Sequence, residues 1–142
     1  MSYAFFDIHS HLHDKAYDDD REKLLEEMKG YGVGTVTVGT DVAESKKAVA
    51  LAEKYPHVYA TVGMHPNDNK EELFDVSEYE KLAQHEKVVA IGECGLDYFR
   101  INSDDTADKL RQQEIFKKQI ELAVAVNKPL MLHGRPSKGS MD

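Results

Sequence analysis

The sequence predicts an α/β fold whose parallel strands form a (β/α) barrel, truncated after about five strands. Three observations predict it: short apolar runs alternate with helical segments along the whole chain, polar residues end four of those runs, and no Gly-rich phosphate loop follows the first. Strict strand–helix alternation implies parallel strands joined by right-handed crossovers, either doubly wound or closed into a barrel. An open sheet gathers its ligand at one switch point, whereas a barrel brings all its strand ends around one mouth. Polar residues at four separate ends therefore favour the barrel.

The strand-like runs are YAFFDIH (3 to 9), GTVTVGT (34 to 40), VYATVGMH (58 to 65), VVAIGECG (88 to 95) and PLMLHG (129 to 134). Each is nearly continuous and rich in β-branched or aromatic residues, the pattern of a central strand covered on both faces. Between the first two, Asp19 and Glu22 open a helix carrying Leu24, Leu25 and Met28, which Gly30 and Gly32 end. Asp41 and Glu44 open a second, with Ala48, Leu51, Ala52 and Tyr55 on one face and Pro56 beyond it. Asp75 and Glu78 open a third, carrying Val76, Tyr79, Leu82 and Ala83. Each start resembles a capping box, in which a side-chain oxygen and an acidic residue three positions on satisfy free amides. A fourth helix, residues 106 to 126, is expected to bury Leu110, Phe116, Ile120, Ala123 and Val124 and to stop before Pro129.

A complete TIM-type barrel takes about 250 residues. Residues 1–142 are therefore expected to be the N-terminal part of a single barrel domain, with the C-terminal strands absent from this chain, in preference to strands supplied by another chain or a smaller open sheet. Such a piece exposes strand edges, so association with itself or with a complementing fragment is expected. A content of 41% hydrophobic and 31% charged residues suits one globular domain with a core. The net charge of −8, from 18 basic against 26 acidic residues, leaves no basic footprint for holding nucleic acid by phosphate neutralisation alone. A polyanionic substrate would need locally supplied positive charge, and bound metal ions are the obvious source. The single cysteine, Cys94, excludes an intrachain disulfide framework. With no basic n-region, no apolar h-region and no run of membrane-spanning length, the expected location is the cytoplasm, with no membrane partner.

His9 and His11 stand two apart at the end of the first strand, where alternate residues share a face. Two imidazoles on one face suit a divalent cation, with Asp7 as an acceptor that orients one of them. Glu93 ends an apolar strand between Gly92 and Gly95, and His133 ends another, with Arg135 two residues on. A carboxylate at such a terminus is costly unless paired or bound to metal, and a ligand role outweighs a salt bridge to Arg100 or Arg135. Imidazoles flanking a carboxylate that can bridge are the material of a two-metal hydrolytic site, and the mixed N and O donors fit Zn²⁺, Mn²⁺ or, less naturally, Mg²⁺. His13, His57 and His85 read as surface or hydrogen-bonded core residues. Cys94 reads as a small buried thiol with no dedicated base.

The stretches FFDIHSHLHD, VGMHP, IGECGLDY and RQQEIFKKQIELAVAVNKPLMLHGR resemble the successive signatures of the TatD-type metal-dependent deoxyribonucleases, within the amidohydrolase-like barrels. The resemblance runs from residue 5 to about residue 135. It implies a hydrolase with two divalent metal ions (Zn, Mn or Mg) that cleaves phosphodiester bonds of DNA, of the exonuclease kind. By position it implies His9 and His11 on the first metal, Glu93 shared between the metals as the catalytic carboxylate, and His133 on the second. His65 matches a pocket histidine near a substrate phosphate. Arg135 matches an arginine that either contacts phosphate or shapes the loop, and Asp97 and Tyr98 lie near the mouth. The family's later strands supply a further histidine and an aspartate that this chain does not contain, and after its arginine the chain reads PSKGSMD, where the family has an acidic residue and an alanine. Related barrels with similar ligands hydrolyse amides, lactones and phosphotriesters.

Overall fold

The computed structural model describes residues 2–68, 70, 73–102 and 104–138. Strands and helices alternate: β1 (Phe5–Ser10), α1 (Arg21–Gly30), β2 (Val33–Val38), α2 (Val42–Lys54), β3 (Val58–Val62), α3 (Val76–Ala83), β4 (Val88–Asp97), α4 (Thr106–Ala125) and β5 (Leu130–Arg135). All four strand pairs are parallel, in the order β1-β2-β3-β4-β5. Neighbours that follow chain order form one arc of a TIM-type barrel, since a doubly wound sheet reverses order at its switch point. The chain is a half-barrel. None of its described helices is long and apolar enough to cross a membrane.

Three helix starts are built by carboxylates. Asp41 accepts from the amide of Glu44 (2.7 Å), Asp75 from that of Ser77 (2.9 Å) and Asp105 from that of Asp108 (3.0 Å). These bonds satisfy amides that the first helical turn leaves free. The start of α1 departs from the expected Asp19 box: Asp20 is the N-cap, and its side chain makes no capping bond. Arg21 explains the difference, because it turns back to donate to the carbonyls of Leu12 and Asp14, both at 2.6 Å. The entry to α1 is thus set by the loop that carries the β1 histidines forward, which also holds a short 3₁₀ turn at Lys15–Tyr17.

The core lies between the sheet and α1 to α4, where Leu25, Ala48, Ala52, Val58, Val62, Tyr79 and Ile91 are fully buried. The expected face of α4 is corrected. Ala123 is buried and Phe116 half-buried, but Leu110, Ile120 and Val124 are exposed, and the helix buries Gln112, Gln119 and Leu122 instead. The glutamines go inward because they bond strand backbone. The expectation that every strand is covered on both faces holds for the middle of the sheet and fails at its rims, since Phe5 and Ile8 on β1 and Leu132 on β5 are exposed.

Two glycines let β5 approach β4. Gly92 and Gly95 have φ of +147° and +142°, and a Cβ on either would run into the carbonyl oxygen of Met131 or His133. Only glycine combines that conformation with that contact. The ladder pairs Gly95 with His133 and Asp97 with Arg135, which brings the polar ends of β4 and β5 side by side.

Candidate metal centre at the strand ends

The carboxyl ends of β1, β3, β4 and β5 border an open cleft of about 400 Å³ lined by His11, His65, Glu93, Asp97, His133 and Arg135, among others. Glu93 is among the residues that line it and is 8% exposed. One carboxylate oxygen is 3.4 Å from Nε2 of His9 and the other 3.0 Å from Nδ1 of His133. The strand at one rim and the strand at the other therefore meet through a residue of the interior strand. The salt bridge weighed for Glu93 is absent among the described residues: its carboxylate meets imidazoles, not Arg100 or Arg135.

The first group of donors is His9, His11 and Glu93, each offering an atom within 4.8 Å of the others. The His9 and His11 rings stand 5.2 Å apart. Nδ1 of His11 lies 2.9 Å from the carbonyl oxygen of Val38. A carbonyl only accepts, so Nδ1 carries the proton and Nε2 keeps a lone pair, the arrangement of a metal-ligating histidine held by backbone. The orienting role expected of Asp7 is corrected. Its carboxylate accepts from the backbone amide of His9 (3.0 Å), and Val38 supplies the acceptor for a ring.

The second group is His65, Asp97 and His133, again within 4.8 Å of one another. His133 places Nε2 3.0 Å from Asp97, and its ring packs edge-on against His65 with centroids 4.4 Å apart. Burial pushes the Asp97 carboxyl up, but hydrogen bonds from His133, the Phe99 amide and Asn67 outweigh it and hold the group below its ordinary value. His65 follows β3, held by its amide on the Thr40 carbonyl (2.8 Å), with its Nδ1 3.1 Å from Asp68. The hydrogen bond from His65 keeps the Asp68 carboxyl below its ordinary value despite partial burial. Arg135 lies over the Phe99 ring at 4.0 Å, with Nη1 3.9 Å from Asp97. Its guanidinium faces the cleft with part of its surface free.

Two contributors escaped the sequence reading. Gln112 accepts from the Asp97 amide (2.8 Å) and donates to the Asp97 carbonyl (2.9 Å). Gln119 does the same for Met64, the residue before His65, at 2.8 and 2.9 Å. The buried face of α4 thus clamps the backbone at two strand ends. The only available signal was a pair of polar residues seven apart on one helix face, which pattern reading assigns to solvent.

The remaining histidines lie outside the cleft lining. His13 is buried against Thr37 (2.6 Å), His57 is buried, and His85 pairs with Glu53 at 3.0 Å. Cys94 is fully buried, and burial, helped by the charge of Glu93, pushes its thiol up to about 12. A thiolate nucleophile is excluded at neutral pH.

A parallel half-barrel that converges imidazoles and carboxylates at its strand ends has the architecture of the metal-dependent barrel hydrolases. Similarity to known proteins narrows this class. The family described as TatD related DNase matches residues 6–141, and the chain belongs to that family. It is 42% identical over 135 residues to the uncharacterized metal-dependent hydrolase YabD of Bacillus subtilis (strain 168), covering 92% of this chain and 50% of that protein. It is 36% identical over 132 residues to the 3'-5' ssDNA/RNA exonuclease TatD of Citrobacter rodentium, covering 92% and 49%. The crystal structure of YJJV, a TatD homolog from Escherichia coli K12, superposes with a TM-score of 0.80 at 30% identity, covering 92% of this chain and 51% of that one. The chain spans about half the length of the relatives it matches.

Proposed function

We propose that this chain carries the N-terminal half of the active site of a metal-dependent phosphodiesterase acting on DNA, of the exonuclease kind. The carrying observation is the shared placement of Glu93 between His9 and His133, with His11 presenting a lone pair beside it. The donor set fits two divalent cations of the Zn, Mn or Mg kind, imidazoles favouring the first two. His9 and His11 would hold one, His133 the other, and Glu93 both. When bound, such ions activate water at neutral pH and neutralise charge developing on phosphate oxygens.

The protein's own residues do the rest. Arg135 and His65 face the cleft as donors for a substrate phosphate, which a guanidinium binds through paired N–H groups. Asp97 and Val38 hold ring orientations, and buried Cys94 stays a spectator. The net charge of −8 fits a site in which bound cations, rather than surface lysines, attract the polyanion. The C. rodentium relative's name supports single strands as substrate. The family membership makes a cytoplasmic nuclease the simplest setting.

The test is cleavage of end-labelled single-stranded DNA by the 142-residue chain, beside RNA, amide, lactone and phosphotriester substrates. Divalent cation should support cleavage, and chelation or Glu93→Gln should abolish it. Cleavage that survives Glu93→Gln would overturn the assignment, and turnover of only the small esters or amides would change the substrate. A second reading is favoured by exposed Phe5, Ile8 and Leu132: the chain is an incomplete half-barrel, inactive until a second copy or a complementing piece covers these rims. Activity that appears only on such association would support it, and a monodisperse active monomer would refute it.

A further inference from the structure

The ring of His133 belongs to a strand at the rim of the sheet, where its neighbour Leu132 is 62% exposed. Backbone alone leaves such a ring free to turn, yet both of its nitrogens are engaged. Nε2 lies 3.0 Å from Oδ2 of Asp97, and Nδ1 lies 3.0 Å from Oε1 of Glu93. A neutral imidazole has one N–H, so it donates to one carboxylate and turns a lone pair towards the other.

Asp97 is the better anchored of the two. It is 1% exposed, and Oδ1 already accepts from the Phe99 amide at 3.0 Å. Its amide and carbonyl are both held by Gln112, itself 1% exposed. Asn67 donates to the same carbonyl at 3.3 Å. Glu93 has no comparable anchorage: among the described residues its carboxylate is paired with the rings of His9 and His133.

We propose that Asp97, fixed by Gln112, is the positioning residue that accepts the Nε2–H of His133 and so presents the bare Nδ1 of that ring towards Glu93. This deepens the proposed metal-hydrolase reading and rests on it. With the proton on Nε2, a lone pair of His133 and a carboxylate oxygen of Glu93 face each other at 3.0 Å with nothing shared between them. Two acceptors at that distance are mutually repulsive until a cation or proton lies between them. The tautomer imposed by Asp97 therefore makes the gap receptive to a cation. It parallels His11, where the Val38 carbonyl accepts a hydrogen bond from Nδ1–H and leaves Nε2 bare. Both oxygens of Asp97 are in use, which sets positioning above direct coordination even though Asp97 lies within 4.8 Å of His65 and His133 donors.

The experiment is long-range ¹H–¹⁵N NMR of the histidine rings in the 142-residue chain at pH 8 without metal, followed by Zn²⁺ titration against a competing chromophoric chelator. The expected wild-type result is an Nε2–H tautomer for His133. Asp97→Asn should mix the tautomers and weaken Zn²⁺ binding roughly 10- to 100-fold, the range for a residue that orients a metal-binding histidine through a hydrogen bond. Gln112→Met should produce a smaller shift in the same direction. An Nδ1–H tautomer in the wild type, or unchanged Zn²⁺ affinity in folded Asp97→Asn, would overturn the proposal. So would a loss in Asp97→Asn as large as that in His133→Ala, which would make Asp97 a ligand. If Asp97→Asn does not fold, the wild-type tautomer decides. A wild type that binds no Zn²⁺ yet shows the Nε2–H tautomer would refute the metal-hydrolase reading and leave the orientation by Asp97 standing.

Discussion

The interior of the sheet and its two rims are made of similar residues and behave differently. Ile91 on β4 is 0% exposed, whereas Leu132 on β5 is 62% exposed. Both are aliphatic, both stand in parallel strands, and they differ in whether a neighbour covers them. The site inherits the same contrast. Glu93 and Asp97, on interior β4, are 8% and 1% exposed, while the His9 side chain on rim strand β1 is 38% exposed. The half-barrel therefore fixes its carboxylates by its own packing and holds its rim imidazoles through contacts to those carboxylates. Order in the site spreads outward from β4.

Substitutions on β4 should have the largest effects. Ile91→Ala removes a fully buried side chain and should cost about 2–5 kcal/mol by chemical denaturation. Gly95→Ala forces a side chain into a positive φ against the His133 carbonyl and should cost about 3 kcal/mol or more. It should also disturb the His133 ring resonances, which Ile91→Ala should leave closer to wild type. Equal disturbance by both would show that β4 acts on the site only through general stability.

Acid tests a side chain at the join between rim and core. Burial, only partly opposed by Glu44, lowers His13 from 6.5 to about 4. The folded state thus favours the neutral ring, and its contribution is complete above about pH 6.5, declines as pH falls, and is gone below about 4. The amount is at most about 3 kcal/mol, at 1.36 kcal/mol per pH unit. Comparing denaturation of wild type and His13→Gln at pH 7 and pH 4 isolates it: the stability gap between them should narrow in acid. A gap that is the same at both pH values would contradict the account.

The smallest effect should come from the rim. Leu132→Ala should change stability by under about 0.5 kcal/mol, as exposed positions do. Leu132→Lys should leave stability similar but reduce self-association measured by sedimentation, since edge charges oppose strand pairing. A large destabilisation by Leu132→Ala would show that the rim is covered in solution and would erase the contrast with Ile91.

The strand order and the side chains that meet at the strand ends were legible because both rest on local signals. Apolar runs bounded by caps and glycines give the alternation, and His9, Glu93 and His133 lie at the ends of such runs with His11 just beyond the first. The long-range partners were not legible. Asp97 meets His133 across 36 residues, and Val38 meets His11 across 27. Asp7 was the nearer acceptor in sequence, but it bonds the His9 backbone instead. The face of α4 was misread for a related reason: Gln112 and Gln119 are buried because they satisfy strand amides and carbonyls, and hydrophobic periodicity does not register a glutamine as a core residue.

Glu93 is proposed to join the rim imidazoles into one centre for divalent cations. Calorimetric titration of Mn²⁺ into the 142-residue chain and its Glu93→Gln variant tests it most directly. The wild type should bind, and a variant that remains folded should lose at least about tenfold in affinity, since glutamine keeps the shape and removes the charge. Equal binding by the two proteins, or no binding by the wild type, would contradict it.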